Sequence, residues 1–473
     1  MRPTSLIAVA LLLAGCAVNP VTGKRQLSLV SEAQEIEMGK GEVVRAREET
    51  GFYPDTALTA YIAGIGMRMA RASERPDLPW EFHLIDDPMV NAFAAPGGFI
   101  FITRGILAYM NSEAELAGVI GHEIGHVTAK HTVAAISRQQ VGTIGVIGAA
   151  ILTKNEQVAQ LGSAGLGVLF LKYGRDQESQ SDALGHKYSL TQGYDVREMP
   201  KTFATLQRVS DASGNSGRIP GFLSTHPDPG DRVAATTRWA DTVSNPSKLT
   251  IGRDRFLDRL DRMVYGQDPR QGYFEGQRYL HPELRFQFDM PAGWQGINQT
   301  QQIVLVEPNG VGQIQLSQVP QTTTAAAMQA WQAQQGVVTG VVGNANNIAG
   351  GQGVTAEFSA TVENGQQLRG RVLYFSYRGA IWQFLGIATA AAWPQVQNAV
   401  NGTFLSFAAT PTNQQFRRVR ELRVIALPRA MTMTALAGES GGAATAAELA
   451  LINSAEEGVM LPQGRKVKTI RFR

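Results

Sequence analysis

Apolar residues recur along this chain in two rhythms, and the change comes after Arg232. Upstream the pattern is helical. Asn111-Ser112-Glu113-Ala114-Glu115 offers a capping box, Ser112 to Glu115, ahead of the small apolar run 116–121. Residues 174–185 read as another helical stretch, with Glu178 and Asp182 four apart and therefore on one face. Between these lie two strongly apolar runs, 141–152 and 157–171, split by Lys154, Asn155 and Glu156. Neither reaches the roughly 18–20 apolar residues of a spanning helix, so the pattern predicts a helical hairpin packed on the core or a cover over a cleft. Downstream, 254–265 is still helical, and 266–281 is polar, with three glycines and Pro269, and reads as a linker. From Leu284 to about Ala409 alternation takes over. Strands are predicted at 284–290, 314–317 and 372–377, and helices at 329–335 and 392–404. The last fifty residues carry two short helices, at 434–437 and 446–452.

A length of 473 residues leaves room for two or three cores. The balance of 43 basic and 40 acidic residues, net +3, points away from nucleic acid. At the N-terminus, Met1-Arg2-Pro3 supplies a positive start and residues 6–13 a short apolar core. Leu13-Ala14-Gly15-Cys16 resembles a bacterial lipobox, so 1–15 reads as a cleaved signal peptide and Cys16 as the lipidation site. Cleavage would remove only Arg2, taking the net charge from +3 to +2. Cys16 is the only cysteine, which rules out a disulfide within one chain. Ala17 follows it, not Asp, and the expected location is the periplasm, lipid-anchored to the outer membrane.

The chemistry concentrates in Gly121-His122-Glu123-Ile124-Gly125-His126. Helical positions four apart lie one turn apart on one face, so His122 and His126 can reach one zinc ion. Glu123, one step around, faces the open coordination position. Zinc lowers the pKa of a bound water toward about 7, and a carboxylate there can take the proton as the water attacks a carbonyl. A third protein ligand is needed. The pair Glu178 and Asp182 can supply it, one carboxylate binding metal and the other accepting the second ring N–H of a ligand histidine.

His122-Glu123-x-x-His126 followed by Glu178-x-x-x-Asp182 resembles the gluzincin metallopeptidases of the CAAX prenyl endopeptidase and HtpX family. Two more blocks agree. Asn91-Ala92-Phe93-Ala94-Ala95-Pro96-Gly97-Gly98 resembles that family's substrate-binding edge strand. Ser224-Thr225-His226-Pro227, with Arg232 six residues after His226, resembles its late His-Pro motif. Together the four cover about residues 30–240. The resemblance implies zinc held by His122, His126 and Glu178, with Glu123 as general base and Asp182 supporting a ligand from behind. His226 and Arg232 would line the catalytic site, and substrate would pair along Asn91, Ala92, Phe93 and Ala94. Ser181 departs from the family, which usually has Ala there. Residues 19–27 are similar to the start of the periplasmic, BepA-like lipoprotein branch. The Phe-x-Phe-x-Met-Pro-x-Gly-Trp run ending at Trp294 resembles small α+β domains of the PsbP type, and 451–468 resembles half of a LysM-like glycan-binding fold.

The expected architecture is multidomain. A mainly α-helical zincin-type catalytic domain with a small β-sheet spans 16–265. A linker follows at 266–282, then an α+β domain at 283–410 and a small LysM-like unit at 420–473. The expected activity is a zinc-dependent endopeptidase acting on misfolded or misassembled envelope proteins, with outer-membrane proteins or their assembly machinery as partners. Two alternatives share these residues: a hydrolase of peptidoglycan cross-bridges, with wall contact through the C-terminal unit, and a non-enzymatic outer-membrane assembly chaperone. His226, in a Pro- and Gly-rich segment expected to be a loop, would either hydrogen-bond a forming oxyanion or occupy the fourth zinc position.

Overall fold

The computed structural model describes residues 16–138, 173–213, 222, 225–226, 229–362 and 365–473. The signal peptide over 1–15 and the apolar runs 141–152 and 157–171 lie outside the described residues. Contacts divide the chain into two units. One holds Phe52–Gln267 and Arg420–Arg473 with the preceding N-terminal stretch, and the other holds Asp268–Val419.

The first unit begins with a hairpin of β1 (Cys16–Val18) and β2 (Arg25–Leu27), then α1 (Glu32–Glu49) and α2 (Thr56–Arg71). Asp55 caps α2 by accepting the Leu58 N–H, 2.8 Å. A three-stranded sheet follows, made of β3 (Glu81–Ile85), β4 (Ala92–Ala95) and β5 (Phe99–Thr103), in the order β3-β5-β4. The run Phe-Ile-Phe-Ile-Thr makes β5 buried along its whole length, as a central strand covered on both faces must be. β4 pairs with β5 antiparallel and is left at the sheet's outer edge.

After α3 (Arg104–Tyr109) comes α4 (Glu113–Thr128), every residue of which is buried. Ser112 caps it, accepting from Glu115 N at 3.1 Å. The Glu115 carboxylate reaches one residue further back than a capping box requires and accepts from Asn111 N, 2.8 Å. A helix buried on every face belongs in a core, and α4 is the axis of this one. α5 (Arg175–Thr191) crosses it at backbone contact, since a Cβ on Gly185 would lie 2.9 Å from the His122 nitrogen. α6 (Met199–Ser213), α7 (Pro229–Ala240) and α8 (Arg253–Arg259) complete the helical layer. The helix expected over 254–265 stops at Arg259.

The second unit contains β6 (Tyr273–Glu275), β7 (Arg278–His281), β8 (Phe286–Asp289), β9 (Gln295–Asn298), β10 (Gln302–Val306) and β11 (Gly312–Val319). Then come α9 (Thr324–Gln332), β12 (Val337–Thr339), β13 (Gly343–Ile348), β14 (Gly351–Thr361), β15 (Gln367–Tyr377), β16 (Ala380–Thr389), α10 (Trp393–Leu405) and β17 (Ala408–Ala409). A small sheet has the order β17-β8-β7-β6, and a larger one β12-β14-β15-β16-β11-β10-β9, with β13 beside β14. Alternation along β15 serves two cores. Leu373 and Phe375 join the cluster that includes Trp393 and Val400 of α10, while Val372 and Tyr374 join Met328 and Trp331 of α9.

Two domain boundaries expected from sequence are corrected. The stretch read as a linker over 266–282 carries β6 and β7. Gly276 turns between them at φ +60°, and Tyr279 and Leu280 are buried while Arg278 and Glu275 face out. The outward charges made this half-buried pair read as polar. The second correction concerns 420–473. β18 (Arg420–Ala426), α11 (Met433–Gly438), α12 (Ala446–Ile452) and β19 (Lys466–Phe472) form a strand-helix-helix-strand unit closed by the β18–β19 pair. It does not stand apart. Leu422, Leu436, Leu449, Val467 and Ile470 belong to the same hydrophobic cluster as Leu116, Ile120 and Ile124 of α4. Among the described residues, no helix is long and apolar enough to cross a membrane.

Candidate zinc site

α4 presents His122 and His126 one turn apart, with their Nε2 atoms 2.9 Å from each other. α5 brings Glu178 against both: Oε2 is 3.6 Å from His122 Nε2 and Oε1 is 3.5 Å from His126 Nε2. His226 closes the group, with Nδ1 2.9 Å from Glu178 Oε1 and 3.3 Å from His122 Nε2. The His226 N–H donates to Phe222 O at 2.8 Å and α7 begins at Pro229, while residues 227–228 of the loop expected around His226 lie outside the described residues. All four side chains are buried, and their donor atoms lie within 4.8 Å of one another.

This donor set fits zinc. Three imidazoles and a carboxylate are the ligand types zinc prefers, and four is its usual coordination number. The orphaned atoms point the same way. Both carboxylate oxygens of Glu123, Oε2 of Glu178 and Nε2 of His226 are buried without a hydrogen-bond partner, a costly state that a bound cation relieves.

The electrostatics follow from burial and from two carboxylates in one pocket. Burial pushes the Glu123 carboxyl above its ordinary pKa. Burial would also raise that of Glu178, but the charges of His226 and His122 and the bonds from His126 and His226 outweigh it and hold the carboxyl far below the carboxylate range. Burial disfavours a charge on His226, yet Glu178 and Glu123 outweigh that and raise its pKa. The pocket therefore favours positive charge at its centre.

Behind the donors stands a clamp. His122 Nδ1 is 2.8 Å from Asp182 Oδ1, so the ring proton faces the carboxylate and Nε2 keeps its lone pair for the pocket. Arg232 grips Asp182 through Nε at 2.8 Å and Nη2 at 2.6 Å, and stacks over the Phe203 ring at 4.1 Å. Its Nη1 lies 3.1 Å from Glu178 Oε2 but lacks hydrogen-bond geometry. Arg232 is thus turned to the carboxylates at the back of the site.

The structure adds two residues here, of which the sequence offered His131, like His186, only as a fallback for the third ligand. His131, which one would take for a helix-face or core histidine, lies with Nδ1 3.0 Å from His126 Nδ1, and burial lowers its pKa to about 4. Tyr173 stacks on His126 at 3.8 Å between centroids while its hydroxyl pairs with Thr132. Only the fifth-residue spacing from His126 hinted at His131, and nothing in the sequence marked Tyr173. His186 is not part of the donor cluster and packs edge-on against Trp239.

Residues 56–240 match the model of peptidase family M48. The chain is similar to the "Beta-barrel assembly-enhancing protease" of Yersinia pestis, 32% identical over 56% of this chain and 54% of that protein. Its similarity to the protein of the same name in Escherichia coli strain K12 is 33% over half of each. To the "Mitochondrial metalloendopeptidase OMA1" of Schizosaccharomyces pombe it is 30% identical over 46% of this chain and 65% of that protein. The chain thus spans about half the length of the first two. Among solved structures, a cyanobacterial PsbP from Synechocystis aligns with 28% of this chain and 91% of its own at 17% identity and a TM-score of 0.24, too low to carry an argument. With the His-Glu helix, the carboxylate helix and the converging donors in hand, residues 56–240 are a zinc metallopeptidase domain that matches peptidase family M48.

Proposed function

We propose that the protein is a zinc-dependent endopeptidase that cleaves misfolded or misassembled cell-envelope proteins from a lipid-anchored position at the periplasmic side of the outer membrane. The observation that carries this reading is the convergence of His122, His126, Glu178 and His226 beside a Glu123 carboxylate that has no hydrogen-bond partner. When bound, zinc supplies Lewis-acid chemistry and brings the pKa of water toward neutrality. The chain's own residues do the rest. His122, His126 and Glu178 hold the ion. Glu123 takes the proton of the attacking water and returns it to the leaving amine, and its raised pKa suits a group that must act as base and then as acid. Asp182 and Arg232 orient His122 and Glu178 rather than touch substrate.

The position of β4 at the sheet edge supports strand addition of a substrate peptide along Asn91, Ala92, Phe93 and Ala94. Its neighbour Val90 already accepts the Phe222 N–H at 3.0 Å, and Phe222 O in turn accepts the His226 N–H. With His226 as a fourth donor, an ion held tetrahedrally by these residues would have no position left for water, which supports a self-plugged resting state over an oxyanion role. Two relatives named for enhancing β-barrel assembly support outer-membrane proteins or their assembly machinery as partners. Asn19, three residues after Cys16, donates to Ala129 O at 3.0 Å at the end of α4, so a lipid on Cys16 would hold the site near the bilayer.

The order strand-helix-helix-strand at 420–473 favours a second reading, a LysM-like contact with peptidoglycan and a cross-bridge hydrolase. Casein digestion with and without chelator, run beside a cell-wall digest, separates them. The peptidase reading expects casein cleavage that chelator abolishes. Muropeptide release without casein cleavage would overturn it.

A further inference from the structure

The two histidines of α4 are backed differently. His122 Nδ1 meets the Asp182 carboxylate at 2.8 Å, whereas His126 Nδ1 meets another imidazole, that of His131, at 3.0 Å. Two ring nitrogens that close can share only one proton. His126 Nε2 points into the donor cluster, 2.9 Å from His122 Nε2, and a metal ligand must keep that lone pair. The proton therefore sits on His126 Nδ1, and His131 Nδ1 accepts it. His131 must then carry its own proton on Nε2, and that atom faces an acceptor, Gln180 Oε1, at 3.0 Å. Ser181 Oγ, 3.3 Å from His131 Nδ1, offers a second donor to the same lone pair. In this relay from His126 through His131 to Gln180, every donor meets an acceptor.

The backbone is bent to make the contact. In a continuous helix His131 would point about 140° away from His126. α4 instead ends at Thr128, Lys130 takes φ +58°, and a new helical stretch starts at 131 and folds the ring back. A lysine in the left-handed region is strained, and its Nζ is pinned to Glu35 Oε1 at 2.6 Å. The rings of His126 and His131 meet nearly edge-on, at 74°, with centroids 5.0 Å apart.

We propose that His131 is a positioning residue of the metal site: a neutral imidazole, held by Gln180, that accepts the Nδ1 proton of His126 and so fixes the tautomer and orientation in which His126 meets zinc. This rests on the reading of His126 as a zinc ligand. Partners of this kind, when removed, cost about 10- to 100-fold in metal affinity.

The test is a zinc competition titration of the full chain against a chelator of known affinity, with cobalt(II) substitution as a spectroscopic readout. His131→Phe keeps the ring but deletes the acceptor, and zinc affinity should fall about 10- to 100-fold with an altered cobalt spectrum. His131→Asn places Oδ1 near the position of Nδ1 and should restore most of the affinity and the spectrum. Unchanged affinity in His131→Phe would overturn the proposal. So would equal losses in Phe and Asn variants, which would mark a packing role. A wild type that binds no zinc, or a His126→Ala variant that binds it at full affinity, would instead sink the zinc-ligand reading itself.

Discussion

Glu123 lies 3.7 Å from His226 Nε2 yet makes no hydrogen bond through either oxygen, while Glu178 one helix away is engaged by two histidines. That difference separates a base from a ligand. Glu123→Gln should keep one zinc per chain, measured by metal analysis, and lose about 10²- to 10⁴-fold in turnover of a casein substrate. Normal turnover in that variant would refute the proposed mechanism. Glu178→Ala should lose zinc, because it removes the only donor that α5 contributes to the cluster. His226→Ala should raise basal proteolysis several-fold if the ring plugs the site, and lower it if the ring serves the oxyanion. At this scale the His-Glu-x-x-His spacing was legible because a helix converts it directly into shared direction. His131 was not, because the kink at Lys130 that brings it back is a tertiary event.

Helix crossings and helix ends come next. Where α4 and α5 touch, an added Cβ at Gly185 would meet the His122 backbone at 2.9 Å, and backbone cannot give way as a side chain can. Gly185→Ala should push the helices apart, cost about 1–3 kcal/mol in a denaturation series and weaken zinc binding. Gly41→Ala, in an exposed turn of α1 with nothing within 4 Å, should instead stabilise by up to about 1 kcal/mol. At the start of α4, Glu113 is buried and accepts from Tyr61 at 2.6 Å, Tyr194 at 2.7 Å and Arg255 Nε at 2.7 Å. Burial raises its pKa, but these partners outweigh that and hold it below the ordinary 4.5. A depressed carboxyl pKa adds stability that is present above 4.5 and lost as pH falls through the folded value. Glu113→Gln should therefore cost about 1.5–3 kcal/mol near pH 7, and the gap to wild type should shrink below pH 4.5, read as the difference in urea midpoints. A gap independent of pH would mean the lost bonds, and not the charge, set the cost.

For the molecule as a whole, the last strand belongs to the catalytic core. Lys468 of β19 is fully buried and donates to Ala108 O at 2.7 Å, in the last turn of α3, and to Met110 O at 2.6 Å, just before α4. Deleting 420–473 should therefore prevent the catalytic unit from folding and binding zinc, rather than merely remove an appendage. A truncated chain with normal zinc content would contradict this. The second unit has its own cores around Phe384 and around Trp331. Chelation should lower the calorimetric transition of the zinc-bearing unit, by about 4 kcal/mol for a site previously at a thousand times its Kd, and leave the other transition in place.

The sequence by itself determined what depends on neighbours along the chain. The Ser112 cap, the shared face of His122 and His126, the i, i+4 carboxylates of α5 and the alternation of the β-rich region all follow from helical and strand periods. The short helix at 446–452 was legible for the same reason, since Thr445 and Glu448 form a capping box. Tertiary structure decided what depends on residues far apart. The outward charges of β6 and β7 hid a strand pair because its burial exists only against β8. The C-terminal unit read as separate because its apolar face has no partner within its own fifty residues and finds one on α4, some 300 positions earlier. His131 and Tyr173 joined the zinc site through a kink and a stacking contact, and no local period encodes either. Periodicity fixes which way a side chain points along its own element; only packing fixes what it points at.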